Sequence, residues 1–319
     1  MNREEPQFFN AFELSWASSP GEHEITHGLE TRLLSRNPRT GASTYMLRIP
    51  AGWRTTVKAD LETVECFLLE GDLTVNDRSL GSTGWFGIPQ LCGPVKMSSS
   101  TGAVIYAFVT PDLPLPTYTS GIKDSQVWNE QWTLVAMDQV RHGLMYKSLR
   151  TPDPASGELH GGSGGFIRMT LMTPGFTEPR HEVHHNCWEE IIVLRGELMM
   201  KDRGLQAPGT YLGNPASLWH APFATQGGCL ILIHCDAPMD VSFRNYPGGY
   251  QSMRDYMETA SWVEEPKHSV CHPPVALQTA SGGTAFGMTS EPGPPAASEN
   301  GQNLSDLTSG GNQFDTVRR

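Results

Sequence analysis

The sequence predicts an all-β protein built from two tandem antiparallel barrels, and three observations carry that reading. Short apolar runs separated by Gly, Pro, Asn and Asp follow one another closely from His27 onward, and the first half shows no helical period of ten residues. The order of these runs in the first half recurs in the second. The 33 glycines and 24 prolines among 319 residues fall largely in turns and toward the C-terminus.

Taken in order, residues 1–26 read as an irregular N-terminal arm, placed to pair with a barrel or with a partner subunit. Residues 27–115 form the first barrel, with strands in STYMLRIPAGW, VECFLLEGDLTV, GWFGIPQLCGPV and GAVIYAFVTP. Residues 116–141 are Pro-rich and polar at their start and read as a linker. The second barrel, 142–250, answers the first segment by segment. His142-Gly143-Leu144 matches His27-Gly28-Leu29, RMTLMTPGF matches MLRIPAGW, and EEIIVLRGELMM matches VECFLLEGDLTV. GTYLGNPASLWHAPF matches GWFGIPQLCGPV, and GCLILIHCDAP matches GAVIYAFVTPD. Five matches in one order imply a duplication of a whole domain, since the period is longer than a solenoid repeat. Apolar spacing at Met253, Tyr256 and Met257 predicts a short peripheral helix over 251–266. The Gly-, Ser-, Pro-, Asn- and Thr-rich stretch 267–319 has too little apolar surface to offset its ordering entropy and predicts a disordered tail.

Composition removes several function classes. A net charge of −11 argues against nucleic acid or an anionic membrane as partner, because phosphates need a basic face. No run approaches the ~20 apolar residues of a membrane span, and the first residues lack the apolar core of a signal peptide. Cys66, Cys92, Cys187, Cys229, Cys235 and Cys271 form no CxxC pair, so buried free thiols in a reducing cytoplasm are expected.

The chemistry concentrates between Pro174 and Phe223. His181, His184, His185, Glu189 and Glu190 precede an apolar run, and His220 follows a Gly-Thr-Tyr…Asn-Pro turn. Imidazole and carboxylate suit a divalent first-row metal. Three histidines in five residues also suit a solvated turn, but His220 at a second cluster favours a site. On a strand His181, Val183 and His185 share one face and Glu182 and His184 the other. Trp188 and Trp219 stand beside the ligands as candidate pocket walls. Arg168 and Arg195 read as surface residues, His160 and His234 as structural, and Cys187 and Cys229 as core. The Gly-rich GELHGGSGG reads as a loop between strands.

The spacing Gly175, His181, Glu189, Gly196 resembles the first motif of the cupin superfamily, and Gly209, Pro215, His220 its second. EEIIVLRGEL and GTYLGNP…HAPF are more similar still to the ChrR-type cupin domain, over 142–240 strongly and over 27–111 weakly. The resemblance implies two jelly-roll barrels, with one metal held in the second by His185, Glu189 and His220. The ChrR-type pattern places a further histidine at position 183, which is Val183 here, so a fourth ligand falls to His181 or His184 or is missing. The counterparts in the first barrel, Asp60, Val64 and Cys92, imply that it has lost the site and serves as a structural or dimerising partner, which allows a homodimer. The implied activity is a non-haem Fe(II) dioxygenase acting on a small carbonyl or phenolic substrate with O2. The alternatives are Mn(II), Ni(II) or Zn(II) in the same site, a non-oxidative isomerase, cyclase or lyase, and a metal- or stress-sensing binding protein.

Overall fold

Along Phe166–Met172 the side chains of Phe166 and Met172 join one apolar cluster, and those of Ile167 and Met169 join another. A two-residue side-chain period produces this only when both faces of the strand are covered. The same double burial runs through the other central strands and fixes the architecture of the computed structural model. It describes residues 2–19, 21–111, 123–126, 131–134, 143–150, 165–177, 181–200, 203–220, 223–237 and 239–245. The expected helix at 251–266, the tail at 267–319, His160 and Cys271 lie outside the described residues.

The first half contributes β1 (Gln7–Asn10), β2 (Ala17–Ser18), β3 (Glu30–Arg36), β4 (Ser43–Ile49), β5 (Arg54–Ala59) and β6 (Glu62–Gly71). It continues with β7 (Leu73–Val75), β8 (Arg78–Leu80), β9 (Gly84–Ile88), β10 (Cys92–Ser98), β11 (Ala103–Pro111) and β12 (Lys123–Gln126). The second half adds β13 (Thr133–Leu134), β14 (Leu144–Arg150), β15 (Phe166–Met172), β16 (His181–His185), β17 (Glu189–Gly196) and β18 (Leu198–Met200). It ends with β19 (Gly204–Gln206), β20 (Thr210–Asn214), β21 (Phe223–Ala224), β22 (Cys229–Cys235) and β23 (Val241–Asn245). The helical elements among the described residues are two 3-10 turns, Ala11–Glu13 and Glu24–Thr26.

Two seven-stranded antiparallel sheets dominate, in the orders β1-β20-β17-β22-β15-β14-β13 and β12-β9-β6-β11-β4-β3-β2. The orders superimpose term by term, so the duplication read from the sequence recurs in the topology of the two barrels. The irregularities repeat as well: a register shift at Leu33/Ser35 matches one at Ser148/Arg150, and one at Val104/Ile105 matches one at Val193/Arg195. A smaller sheet, β5-β10-β7-β8, closes the first barrel, while β16-β23 and β19-β18-β21 close the second. One apolar cluster fills each barrel, and a third lies between the two large sheets, where Met46, Phe67, Trp85 and Tyr106 meet Ile167, Ile192, Tyr211 and Leu232.

The edge strands are exchanged. β1, in the arm ahead of the first barrel, pairs with β20 of the second, and β12, in the stretch ahead of the second barrel, pairs with β9 of the first. The arm is thus a regular strand in the partner barrel's sheet. Phe9 stacks on Tyr211 with ring centroids 5.3 Å apart, and the Asn10 side chain accepts from Phe12 N at 2.9 Å. Gly209 makes room for this arm, because a Cβ there would lie 2.2 Å from the Phe12 ring. Gly71 and Gly196 turn β6 and β17 out of their ladders at positive φ, and a Cβ on either would meet a carbonyl oxygen at 2.0 Å or less. That close approach is why both halves carry glycine at this position.

Candidate metal centre

The site is built from strand alternation and two crossings. Glu189 opens β17 opposite Asn214 on one side and Cys235 on the other, so its side chain points into the second barrel. His185 closes β16, and His220 is joined to that strand by a bridge between Val183 and His220 with both backbone hydrogen bonds, 3.0 and 3.3 Å. Pro215 and the bend after it carry the chain over the barrel mouth, where Ser217 N donates to the His185 carbonyl at 2.6 Å. The three side chains therefore converge from separate segments.

Their donor atoms form a small triangle. His185 Nε2 and His220 Nε2 lie 3.0 Å apart, and Glu189 Oε2 is 3.3 Å from the first and 3.5 Å from the second. Ligands about 2.1 Å from a common ion and at right angles to one another would stand roughly 3 Å apart. All three residues are about 5% exposed. Two imidazole nitrogens and a carboxylate oxygen meeting in a buried space form a donor set suited to a divalent first-row cation, and the residues present fit one. Burial alone would push the Glu189 carboxyl up. The two imidazoles, aided by Asn214, override it and hold Glu189 well below the usual carboxylate range. Asn214 Nδ2 donates to Glu189 Oε2 at 3.0 Å and fixes its rotamer.

Beside the triangle lies a cavity of about 30 Å³, walled by apolar side chains including Met172, Phe176, Phe223 and Ile233. Arg168 and Thr170 also line it. The expectation that Arg168 is a surface residue is thereby corrected: an even position on β15 faces the barrel interior, and the long side chain is half-buried there.

The remaining sequence candidates separate by face. His184 packs edge-on against Trp219 at 4.2 Å, on the side of β16 away from the triangle. His181 begins β16 opposite Asn245, and its side chain lies outside the described residues. Trp188 and Trp219 are not pocket walls. Trp219 lies under Arg244 at 4.3 Å, and Trp188 sits on the opposite face of the chain from Glu189, between the barrels. Alternation sends one residue of each neighbouring pair inward and the next outward. Cys187 and Cys229 are buried as expected.

The neighbouring Glu190 points the other way. In the interface between the large sheets it accepts from Trp188 Nε1 at 2.6 Å, from Ser35 Oγ at 2.8 Å and from Thr44 Oγ1 at 2.7 Å, and pairs with Arg3 at 2.9 Å. Its counterpart Glu65 receives Arg150 Nε at 2.9 Å. His234 stands between these carboxylates, 3.7 Å from Glu190 and 3.6 Å from Glu65, and stacks on Phe108 at 4.3 Å. The structural role expected of His234 is this one. Arg3, Ser35, Thr44, Arg150 and Asn214 were not anticipated; the only sequence signal is that Asn214 immediately precedes the motif proline.

In the first barrel Val64 occupies the place of Glu189 and is fully buried in an apolar core, and Asp60 is exposed. Among the described residues, the His185–Glu189–His220 group is where His, Cys, Asp and Glu side chains gather closely enough to hold an ion.

Residues 158–238 match the family model of the ChrR cupin-like domain. The second barrel thus carries the match to the ChrR cupin-like domain, and the chain has the fold of a bicupin, two tandem jelly-roll barrels. A crystal structure of a proposed dioxygenase from Nostoc punctiforme shares the bicupin's fold with a TM-score of 0.59 at 17% identity, covering 76% of this chain and 87% of that one. A protein of Pseudomonas aeruginosa proposed to be glyoxylate-induced gives 0.55 at 14% identity, covering 74% and 91%. YlbA of E. coli gives 0.50 at 11%, covering 72% and 90%. At such identities the likeness is one of fold. No curated protein matches the bicupin in sequence. No helix among its described residues is long and apolar enough to cross a membrane.

Proposed function

We propose that the second barrel binds one divalent metal ion through His185, Glu189 and His220, and that the bicupin is a non-haem Fe(II) dioxygenase of a small carbonyl or phenolic compound. The observation that carries this reading is the donor triangle with sides of 3.0, 3.3 and 3.5 Å, whose three buried atoms border the cavity and would hold a divalent ion there. The name given to the Nostoc protein agrees with the chemistry but adds only a likeness of fold.

Bound Fe(II) would supply coordination of O2 and of an oxygen-bearing substrate at one centre. The chain supplies the rest. Glu189 stays ionised as a carboxylate donor, Asn214 holds its oxygen toward the imidazoles, and the backbone bridge at Val183–His220 locks the two histidine segments together. The apolar wall keeps bulk water from the reacting groups.

The test is elemental analysis of protein purified without chelator or affinity-tag metal, with Glu189→Ala and His220→Ala alongside. About one iron per chain, lost in both variants at unchanged secondary structure, is expected, together with oxygen uptake in step with product. Zinc or nickel at that stoichiometry and no oxygen uptake would transfer the site to isomerase, cyclase or lyase chemistry. A wild type that takes up none of Fe(II), Mn(II), Ni(II) or Zn(II) on anaerobic reconstitution would overturn the proposal.

A further inference from the structure

We propose that Arg168 and Thr170 form a carboxylate-binding subsite beside the His185–Glu189–His220 group, so that the substrate is a compact carboxylic acid presenting a second oxygen toward the triangle. The second half of this statement rests on the metal reading above; the subsite itself does not.

Four observations lead there. Arg168 and Thr170 are two residues apart on β15, opposite Ile233 and Ile231 of β22, and therefore project from the same inner face of the barrel. Both line the cavity that the triangle borders. A guanidinium placed among Ile, Phe and Met side chains is costly to desolvate and needs an anionic or aromatic environment in return. The Arg168 Cζ lies 4.4 Å from the centroid of Phe166 and 5.4 Å from that of Tyr146, so aromatic rings hold the group in place at the cavity edge. Thr170 is 1% exposed, and its Oγ1 has no hydrogen-bond partner. A buried hydroxyl without a partner is rare, and one that faces a cavity is positioned to serve a ligand.

The first barrel provides an internal control. The paired registers β15–β22 and β4–β11 place Tyr45 and Leu47 where the second barrel has Arg168 and Thr170. The barrel with Val64 at the Glu189 position thus also has an aromatic and an aliphatic side chain at these two places, both packed in its core. The cation at the first β15 position and the hydroxyl at the second accompany the metal-type donor set, and Tyr45 and Leu47 supply neither where the set is missing.

The free volume of about 30 Å³ has room for little more than one water-sized group. A compact ligand is therefore favoured, admitted by rotation of flexible residues such as Met172 and Met239 in the wall.

The test uses the full chain in Zn(II)-loaded and metal-free forms, titrated calorimetrically with glycolate and with its uncharged amide, glycolamide. Glycolate should bind the wild type at least roughly tenfold more tightly than glycolamide, the scale of a charge-assisted hydrogen-bonded pair. Arg168→Met should reduce that preference to less than about twofold, Arg168→Lys should keep part of it because the charge remains without the planar fork, and the near-isosteric Thr170→Val should weaken glycolate severalfold. Equal binding of the two compounds by both forms of the wild type, no binding of glycolate to either form, or an undiminished preference in Arg168→Met would overturn the subsite. Metal uptake measured on the same protein judges the metal reading separately: a charge preference that needs Arg168 in protein that takes up none of Fe(II), Mn(II), Ni(II) or Zn(II) would retain the subsite and discard the metal.

Discussion

At the scale of single residues, Glu189 and Glu190 show how one peptide bond divides two roles. Both are buried carboxylates held below the usual range, Glu189 against burial by imidazoles in the barrel and Glu190 against burial by Arg3 and His234 between the barrels. Asn214 is the residue through which Glu189 is oriented, so Asn214→Ala should leave the fold intact and weaken metal affinity by about 10–100-fold, the usual effect of losing a partner of a ligand; competition with a fluorescent chelator measures it. Breaking the Glu190 set by Arg3→Met should cost ~3–5 kcal/mol, because a carboxylate is left buried without its cation. A lowered urea midpoint at unchanged m-value would register that loss.

At the scale of elements, what could be read from the chain was what repeats or alternates. The strands, the duplication and the convergence of His185, Glu189 and His220 follow from period-two runs and from motif spacing, which are local properties. The inward direction of Arg168 was not legible, since in FIRMTLM the uniformly apolar parity is Ile167, Met169 and Leu171, so alternation sends Arg168 and Thr170 outward, and nothing local shows that both faces are covered. Trp188 misled for a related reason: lying next to Glu189 in sequence put it on the other face. The arm looked irregular because β1 has its partner about 200 residues away, and its only local trace is Gly209, whose missing side chain accepts Phe12. Gly196→Ala should therefore destabilise by ~1–3 kcal/mol from backbone strain alone, and by more once the Gly228 carbonyl is displaced; thermal unfolding of the metal-free protein would show it as a lower midpoint.

At the scale of the whole molecule, the charged interface ties stability to pH. Burial opposes ionisation of Glu65, but Arg150 and His234 hold its pKa below the ordinary value, as Arg3 and His234 do for Glu190. Their contribution is fully present above about pH 4.3 and is lost as pH falls through the lower folded values. Burial would lower His234, yet the Glu190 and Glu65 carboxylates on either side raise it, so its contribution is fully present below about pH 6.5 and fades as pH rises through the folded value. Chelator-treated protein should accordingly be most stable between roughly pH 4.5 and 6.5, and His234→Phe, which copies Phe108, should remove the alkaline decline in a series of urea titrations. The exchanged edge strands also bear on how the molecule is made. β12 leaves the ribosome when β9 is already available, but β1 must wait for β20, and at ~5–20 residues per second that is a delay on the order of 10–40 s. Through that interval the inter-barrel surface of the nascent first half is uncovered, so a strand synthesised ahead of both barrels is among the last to be placed, and a holding chaperone has its opportunity there.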